Sequence, residues 1–112
     1  ASTTSAGYPM SQIGVVYTTV ASHKQATQLA KEAVILGLAA CVHHSSITSV
    51  YLWKGQLENA EEYTLRFKTA QEGVPALISW IQSHHPYEVP ALWWQVVETS
   101  EAYALYLSEP RP

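Results

Sequence analysis

Apolar residues recur along the first third of the chain in two successive patterns, one typical of a strand and one of a helix. Residues 12–20 are mostly β-branched or aromatic, which predicts a central strand buried on both faces. Residues 23–36 place apolar side chains at helical spacing behind a capping box that runs from Ser22 to Gln25. Gly37 suits the left-handed end of a helix, so we expect one helix there.

The middle of the chain predicts a long β-hairpin. Residues 39–55 are many for one strand, and their polar centre predicts a bulge or kink near residues 44–46. A turn is expected at 54–56. The return strand, at about 60–69, alternates apolar and polar positions, which is typical of a sheet with one buried and one wet face.

The last third predicts a helix, a strand and a short helix. The second helix begins near Pro75 and ends before Pro86, since a residue that precedes proline disfavours helical geometry. A strand is expected over 91–97 and a short helix over 100–107. The whole order is a split βαβ pattern, which predicts an α+β, ferredoxin-like βαββαβ sandwich with a short C-terminal helix.

Composition changes this picture by pointing to a subunit interface. A length of 112 residues favours one domain, which we place at 10–109, and residues 1–9 are interpreted as a disordered tail or an expression remnant. Charged residues make up only 13%, against about 25% in an average domain. Four Trp and seven Tyr exceed what a small core can hide, so part of the surface is predicted to be covered by other subunits.

Charge and motifs disfavour several classes of function. The formal net charge is -3, and the chain has no basic run, which disfavours nucleic-acid binding. No apolar stretch approaches the roughly 20 residues of a membrane span. The single cysteine excludes an internal disulfide and suits a reducing, cytoplasmic location. Phosphate loops, nucleophile elbows and His-Glu-x-x-His are missing from the sequence, so we predict a protein that is not an enzyme and has no organic cofactor.

A metal site is one candidate for the chemistry of the chain. Cys41 and His43 lie two residues apart in a predicted strand and therefore project from the same face. Thiolate and imidazole together suit copper or zinc, and further ligands would have to come from His44, His85 or another subunit; of these, His85 is the one that we predict. The alternatives are that Cys41 is a small buried residue at a packed interface and that His85 caps a helix end.

A ligand cleft is the other candidate. Tyr87 and Glu88 lie in a rigid, proline-flanked stretch, and Lys68, Tyr51 and Trp53 lie on the predicted hairpin. If these five side chains converge between subunits, they form a small-ligand site. The alternative is a salt bridge with aromatic packing that only holds subunits together.

Four ordered motifs resemble those of the CutA family, the divalent-cation tolerance proteins. They are Leu-Ala-Ala-Cys-Val at 38–42, Thr-Ser-Val-Tyr-Leu-Trp-Lys-Gly at 48–55, Lys-Thr at 68–69 and His-Pro-Tyr-Glu-Val-Pro at 85–90. The resemblance implies a tight homotrimer in which long hairpins reach neighbouring subunits, and it places His85 in a shared motif. It also implies tolerance of divalent cations, with copper binding in some members. The stretch 43–47 departs from the family pattern.

The sequence is compatible with three functions. The first is a homotrimeric divalent-cation tolerance protein that binds copper or another divalent cation. The second is a signalling or scaffold trimer, similar to the PII regulators, that binds a small ligand or a protein partner at the subunit cleft. The third is a very stable structural trimer whose unknown partner does the work.

Overall fold

The chain folds in the predicted βαββαβ order with a short terminal helix. The structure is a computed structural model that describes residues 10–109, so the prediction for residues 1–9 lies outside it. Its elements are β1 (Met10–Val20), α1 (His23–Ile35), β2 (Cys41–Trp53), β3 (Gln56–Ala70), a 3-10 turn (Gln71–Gly73), α2 (Val74–His84), β4 (Leu92–Ser100) and α3 (Glu101–Ser108). The α+β prediction is therefore confirmed.

The four strands form one antiparallel sheet in the order β2-β3-β1-β4, which is the ferredoxin-like topology. The strand β1 is central, as its apolar sequence predicts, and Val16 lies between Phe67 on one side and Trp94 on the other. The helices α1 and α2 cover one face of the sheet, which we call the helix face. Side chains that are fully buried between the helices and the sheet include Val16, Leu65 and Phe67 from the strands and Leu77 and Ile81 from α2.

The β2–β3 hairpin is more regular than its sequence predicts, and its return strand begins at Gln56, about four residues before the predicted start. Pairing runs without interruption from Cys41 opposite Lys68 to Trp53 opposite Gln56, so the predicted bulge near 44–46 is wrong. Each residue at 44–46 pairs with a single residue of β3. The backbone hydrogen bonds between the two strands form whatever the polarity of the side chains, so the strand stays regular. Lys54 and Gly55 form a two-residue turn with φ of 51° and 78°, the positive values that such turns require.

The short helix α3 covers only part of the opposite face, which we call the α3 face. Leu107 packs there on Ile13 and Val15, and all three side chains are buried. The half of the α3 face toward the hairpin turn carries no helix. The exposed half is therefore the part of the sheet where a ligand or another subunit can reach the strands.

The hairpin extends beyond the helices and makes the molecule long. Its extents are 51 × 35 × 21 Å and its radius of gyration is 16.0 Å, compared with about 13 Å for a compact domain of this length. The helix-face side of the hairpin end exposes Val50, Leu52 and Leu57 by 62%, 72% and 72%; we call these three residues the hairpin patch. Trp94 and Val96 on β4 are also about half exposed and form the β4 patch.

Candidate functional site

A cleft of about 620 Å³ lies on the α3 face, between the hairpin and the segment that joins α2 to β4. Its lining consists of Thr19, Tyr51, Trp53, Glu58, Glu62, Tyr87, Val89 and Ala91. The volume falls within the roughly 300–1,000 Å³ of small-molecule sites. The cleft therefore has the size of a ligand site, and its chemistry depends on aromatic rings and carboxylates.

Strand alternation brings the hairpin residues to the cleft. Tyr51 and Trp53 are two residues apart on β2 and project from the same face of the sheet. Glu58 lies directly opposite Tyr51, and Glu62 is four residues further along β3, again on that face. Because side chains alternate along a strand, one regular hairpin supplies four of the lining residues.

The corner from His85 to Ala91 supplies the remaining ring, Tyr87. His85 donates from Nε2 to the carbonyl oxygen of Thr19 over 2.8 Å and accepts the backbone N–H of Tyr87 at Nδ1 over 3.0 Å. Thr18 donates its hydroxyl to the carbonyl oxygen of Ala91 over 2.7 Å. The corner is thus tied to β1 at both ends, and this fixes Tyr87 over the cleft.

The ring of His85 is held neutral as well as oriented. Burial lowers its pKa, and the hydrogen bond to the Thr19 carbonyl only partly opposes this effect. A neutral ring with the proton on Nε2 can donate to that carbonyl and accept from Tyr87 at once. Both nitrogens are therefore engaged in shaping the corner.

Glu62 is the anchored carboxylate of the cleft. Its Oε1 accepts the Ser49 hydroxyl over 2.6 Å, and its Oε2 accepts the Tyr87 hydroxyl over 3.2 Å. Burial and then the charge of Glu62 raise the pKa of Tyr87, so its phenol stays protonated and donates. The two donors are neutral, so they orient the carboxylate and leave its charge without a balancing cation.

Cys41, His43 and Lys68 form a second group near the start of β2. Lys68 lies opposite Cys41, and its Nζ donates to the His43 ring. The Lys68 charge is the main reason why the pKa of His43 is lowered, with smaller effects from burial and Arg66. Burial lowers the pKa of Lys68 itself, against the opposing effect of Cys41. His43 is therefore a neutral imidazole beside a thiol.

The three predicted metal ligands do not come together within one chain. Among residues 10–109, no three His, Cys, Asp or Glu side chains are grouped closely enough to hold a metal ion. His85 is bound to Thr19, which pairs with Thr64 on β3, four residues from the partner of Cys41. Four residues span about 13 Å along a strand. Only Cys41 and His43 remain neighbours, so a three-ligand site does not fit a single chain.

The cleft gathers some of the residues that the sequence predicts for it and not others. Tyr51, Trp53 and Tyr87 line it together. Lys68 does not, because it is six residues along β3 from Glu62, the nearest lining residue on that strand, or about 20 Å. Glu88 is exposed and outside the lining.

Glu58 and Glu62 take the place of those two residues, and sequence reasoning missed both. The two-residue turn at 54–55 was the signal that could have found them. Once that turn is fixed, Trp53 must face Gln56 and Tyr51 must face Glu58.

The fold and the cleft together define a ferredoxin-like protein whose long hairpin lines an aromatic and acidic cleft. No helix within residues 10–109 is long and apolar enough to cross a membrane. The chain belongs to the CutA family, because residues 14–110 match the family model described as CutA1 divalent ion tolerance protein. The resemblance carried by the four motifs is thereby confirmed.

Relatives in distant organisms are similar to this chain in sequence or in fold. The human protein CutA is 39% identical over 90 residues, which are 80% of this chain and 50% of that protein. The structure of CutA from Synechococcus elongatus PCC7942 is 39% identical, with a TM-score of 0.81 over 86% of this chain and 87% of that one. Its complex with a Bis-Tris molecule matches with 38% identity and a TM-score of 0.78, over 86% and 90% of the two chains. The chain spans about half the length of the human relative.

Proposed function

We propose that the chain acts in divalent-cation tolerance as a homotrimer that binds a small ligand at the cleft, without catalysis and without an organic cofactor. The observation that carries this proposal is the convergence of Tyr51, Trp53 and Tyr87 with two carboxylates around one cleft. Rigid anchoring of the corner by His85 supports a preformed site, since preorganisation lowers the cost of ordering on binding.

Two apolar surfaces support the homotrimer. The hairpin patch and the β4 patch lie near opposite edges of the sheet, and both face its helix side. Different patches at opposite edges suit head-to-tail contacts, which close into a ring. Such contacts also cover the edge strands β2 and β4, which otherwise expose unpaired backbone groups. The number of three subunits rests on family resemblance. A cytoplasmic location is proposed from the single thiol.

The cleft is tested by thermal shift with a panel of metabolites and metal salts. A ligand at about a hundred times its dissociation constant stabilises the folded state by roughly 2.7 kcal/mol, so at least one compound should raise the melting temperature clearly. Trp53→Leu should abolish that shift. Trp93→Leu is the matched control, because Trp93 is also half exposed on the α3 face but lies outside the cleft. A shift that survives Trp53→Leu would count against the cleft.

Copper binding by Cys41 and His43 is a second proposal. It is supported by their adjacency on one face of β2 and by the neutral ring of His43, since thiolate and imidazole are preferred copper ligands. Here His85 acts only as a positioning residue for Tyr87. The Lys68 ammonium next to both ligands opposes a bound cation by electrostatic repulsion.

Copper titration by calorimetry tests this second site. We expect Cys41→Ser and His43→Ala each to weaken copper binding at least about tenfold, which corresponds to roughly 1.4 kcal/mol. Lys68→Met should tighten binding, because it removes the neighbouring positive charge. His85→Ala serves as the comparison and should leave copper affinity unchanged. If His85→Ala weakens copper binding as much as Cys41→Ser and His43→Ala do, then His85 is also a copper ligand, contributed by a neighbouring subunit.

A further inference from the structure

The charged side chains that line the cleft are all acidic. Its described lining contains Glu58 and Glu62 but no Lys, Arg or His. The hydrogen bonds to Glu62 come from two hydroxyl groups, which are neutral. Carboxylates that are partly shielded from water and lack a counter-ion favour a positively charged ligand, because the effective dielectric constant there is lower than in bulk solvent.

The two carboxylates are separated along the strand. Glu58 and Glu62 are four residues apart on β3, so their Cα atoms are about 13 Å apart. Ser49, which lies opposite Ala60, and Tyr87 hold the Glu62 carboxylate in place over the cleft. A divalent ion takes about six or more oxygen ligands, whereas no three His, Cys, Asp or Glu side chains in the part of the chain that the structure describes are grouped closely enough to hold a metal ion. Two positive charges joined by a chain match the separation.

Aromatic rings supply the surface between the charges. Tyr51 lies opposite Glu58, and Trp53 lies two residues further along β2 on the same face. Tyr87 lies next to Glu62. Such rings pack against alkyl chains and attract ammonium groups to their faces. The chain itself already uses one of them in this way, since the Lys54 ammonium lies 5.6 Å from the centre of the Trp53 ring. Hydrated metal ions gain much less from an aromatic wall than organic cations do.

We propose that the cleft binds an extended aliphatic polyamine, with one ammonium group at Glu58, another at Glu62 and the alkyl chain along the aromatic rings. This inference rests on the proposed function of the cleft as a small-ligand site and names the chemical class of its ligand. The apolar hairpin patch faces the other side of the sheet, so the proposed subunit contact leaves the α3 face of the hairpin accessible.

Calorimetry with spermidine tests the polyamine directly. At physiological salt, spermidine should bind at least about tenfold more tightly than hexylamine, which has a single charge, and hexanediol should not bind. Glu58→Gln and Glu62→Gln should each weaken spermidine binding about tenfold, because each removes one charge-assisted hydrogen bond. Trp53→Leu should weaken it roughly three- to thirtyfold.

Glu61→Gln is the matched control for charge. Glu61 is adjacent to Glu62 but faces the other side of β3, so its loss changes the net charge equally without altering the cleft. If Glu61→Gln weakens spermidine as much as Glu62→Gln does, the attraction is nonspecific and the proposal is overturned. Light scattering on each variant confirms that the assembly persists. Glu58→Gln provides an independent test should Glu62→Gln impair folding.

Failure of this inference can be told apart from failure of the proposed function. If spermidine does not bind but a neutral or anionic compound does, and Trp53→Leu abolishes that binding, the polyamine is excluded and the ligand cleft stands. If no compound of any charge binds to the wild-type assembly, both the polyamine and the cleft function are excluded.

Discussion

Replacing Leu57 with glutamate should separate the proposed homotrimer into monomers. Leu57 and Leu52 lie opposite each other at the end of the hairpin, and each is 72% exposed in the single chain. Apolar side chains this exposed on an extended arm are stabilised by burial in a neighbouring subunit. A carboxylate at position 57 would have to be buried without a partner, which costs several kcal/mol per ion. Because a ring of three subunits contains the same contact three times, the cost applies at each contact.

Light scattering at micromolar concentration measures this outcome. The expected mass falls from three times 12.4 kDa in the wild type to 12.4 kDa in Leu57→Glu. Gln56→Glu is the control, because it adds the same charge one residue away but on the opposite side of the strand. It should leave the mass unchanged. If Leu57→Glu remains a trimer, the hairpin patch is not the interface, and a monomeric wild type would refute the assembly.

Much of the fold follows from periodicity, but the register of the hairpin does not. The sequence predicts every helix and strand, because apolar spacing differs so clearly between the two. Its main error lies at residues 44–46, where polar side chains suggested a bulge, and the return strand also begins earlier, at Gln56, than predicted. Backbone hydrogen bonds form whatever the side chains are, and the β2 edge tolerates polar groups that point to solvent. Side-chain polarity alone therefore could not fix the pairing.

The candidate site was only partly accessible to sequence reasoning. The sequence predicts the aromatic residues Tyr51, Trp53 and Tyr87 for the cleft, and all three line it. The role of His85 could not, since it depends on the Thr19 carbonyl, 66 residues away in the chain. The same holds for Glu62, whose contact with Tyr87 joins the hairpin to the corner. Long-range hydrogen bonds that couple two elements leave no local pattern in a sequence.

These two hydrogen bonds suggest how the corner and the hairpin act together. His85 ties the corner to β1, and Tyr87 ties it to β3 through Glu62. The cleft therefore keeps its shape only while both contacts persist. Glu62 is thus the residue through which the hairpin contacts the corner.

Gly14→Ala should cause the largest loss of stability among single-chain substitutions considered for the fold. Gly14 is buried in the central strand β1, directly beneath the start of α2. A Cβ atom there would overlap Cγ2 of Val74, so either the helix or the strand must move. Overpacking typically costs about 1–3 kcal/mol, and so close an overlap should lie at the upper end of that range, so the gain of roughly 0.4–1 kcal/mol from a less flexible unfolded chain does not offset it.

A double-mutant cycle with Val74→Ala tests this cause. Val74→Ala removes the overlapping methyl group and alone should lower the free energy of unfolding by about 2 kcal/mol through lost packing. In the double variant the new methyl group at position 14 occupies the space that Val74 vacates. We therefore expect its loss to be about 2 kcal/mol smaller than the sum of the two single losses. Urea unfolding at one fixed protein concentration measures all four proteins, since association makes apparent stability depend on concentration. Additive losses would show that contact with Val74 is not what excludes a side chain at Gly14.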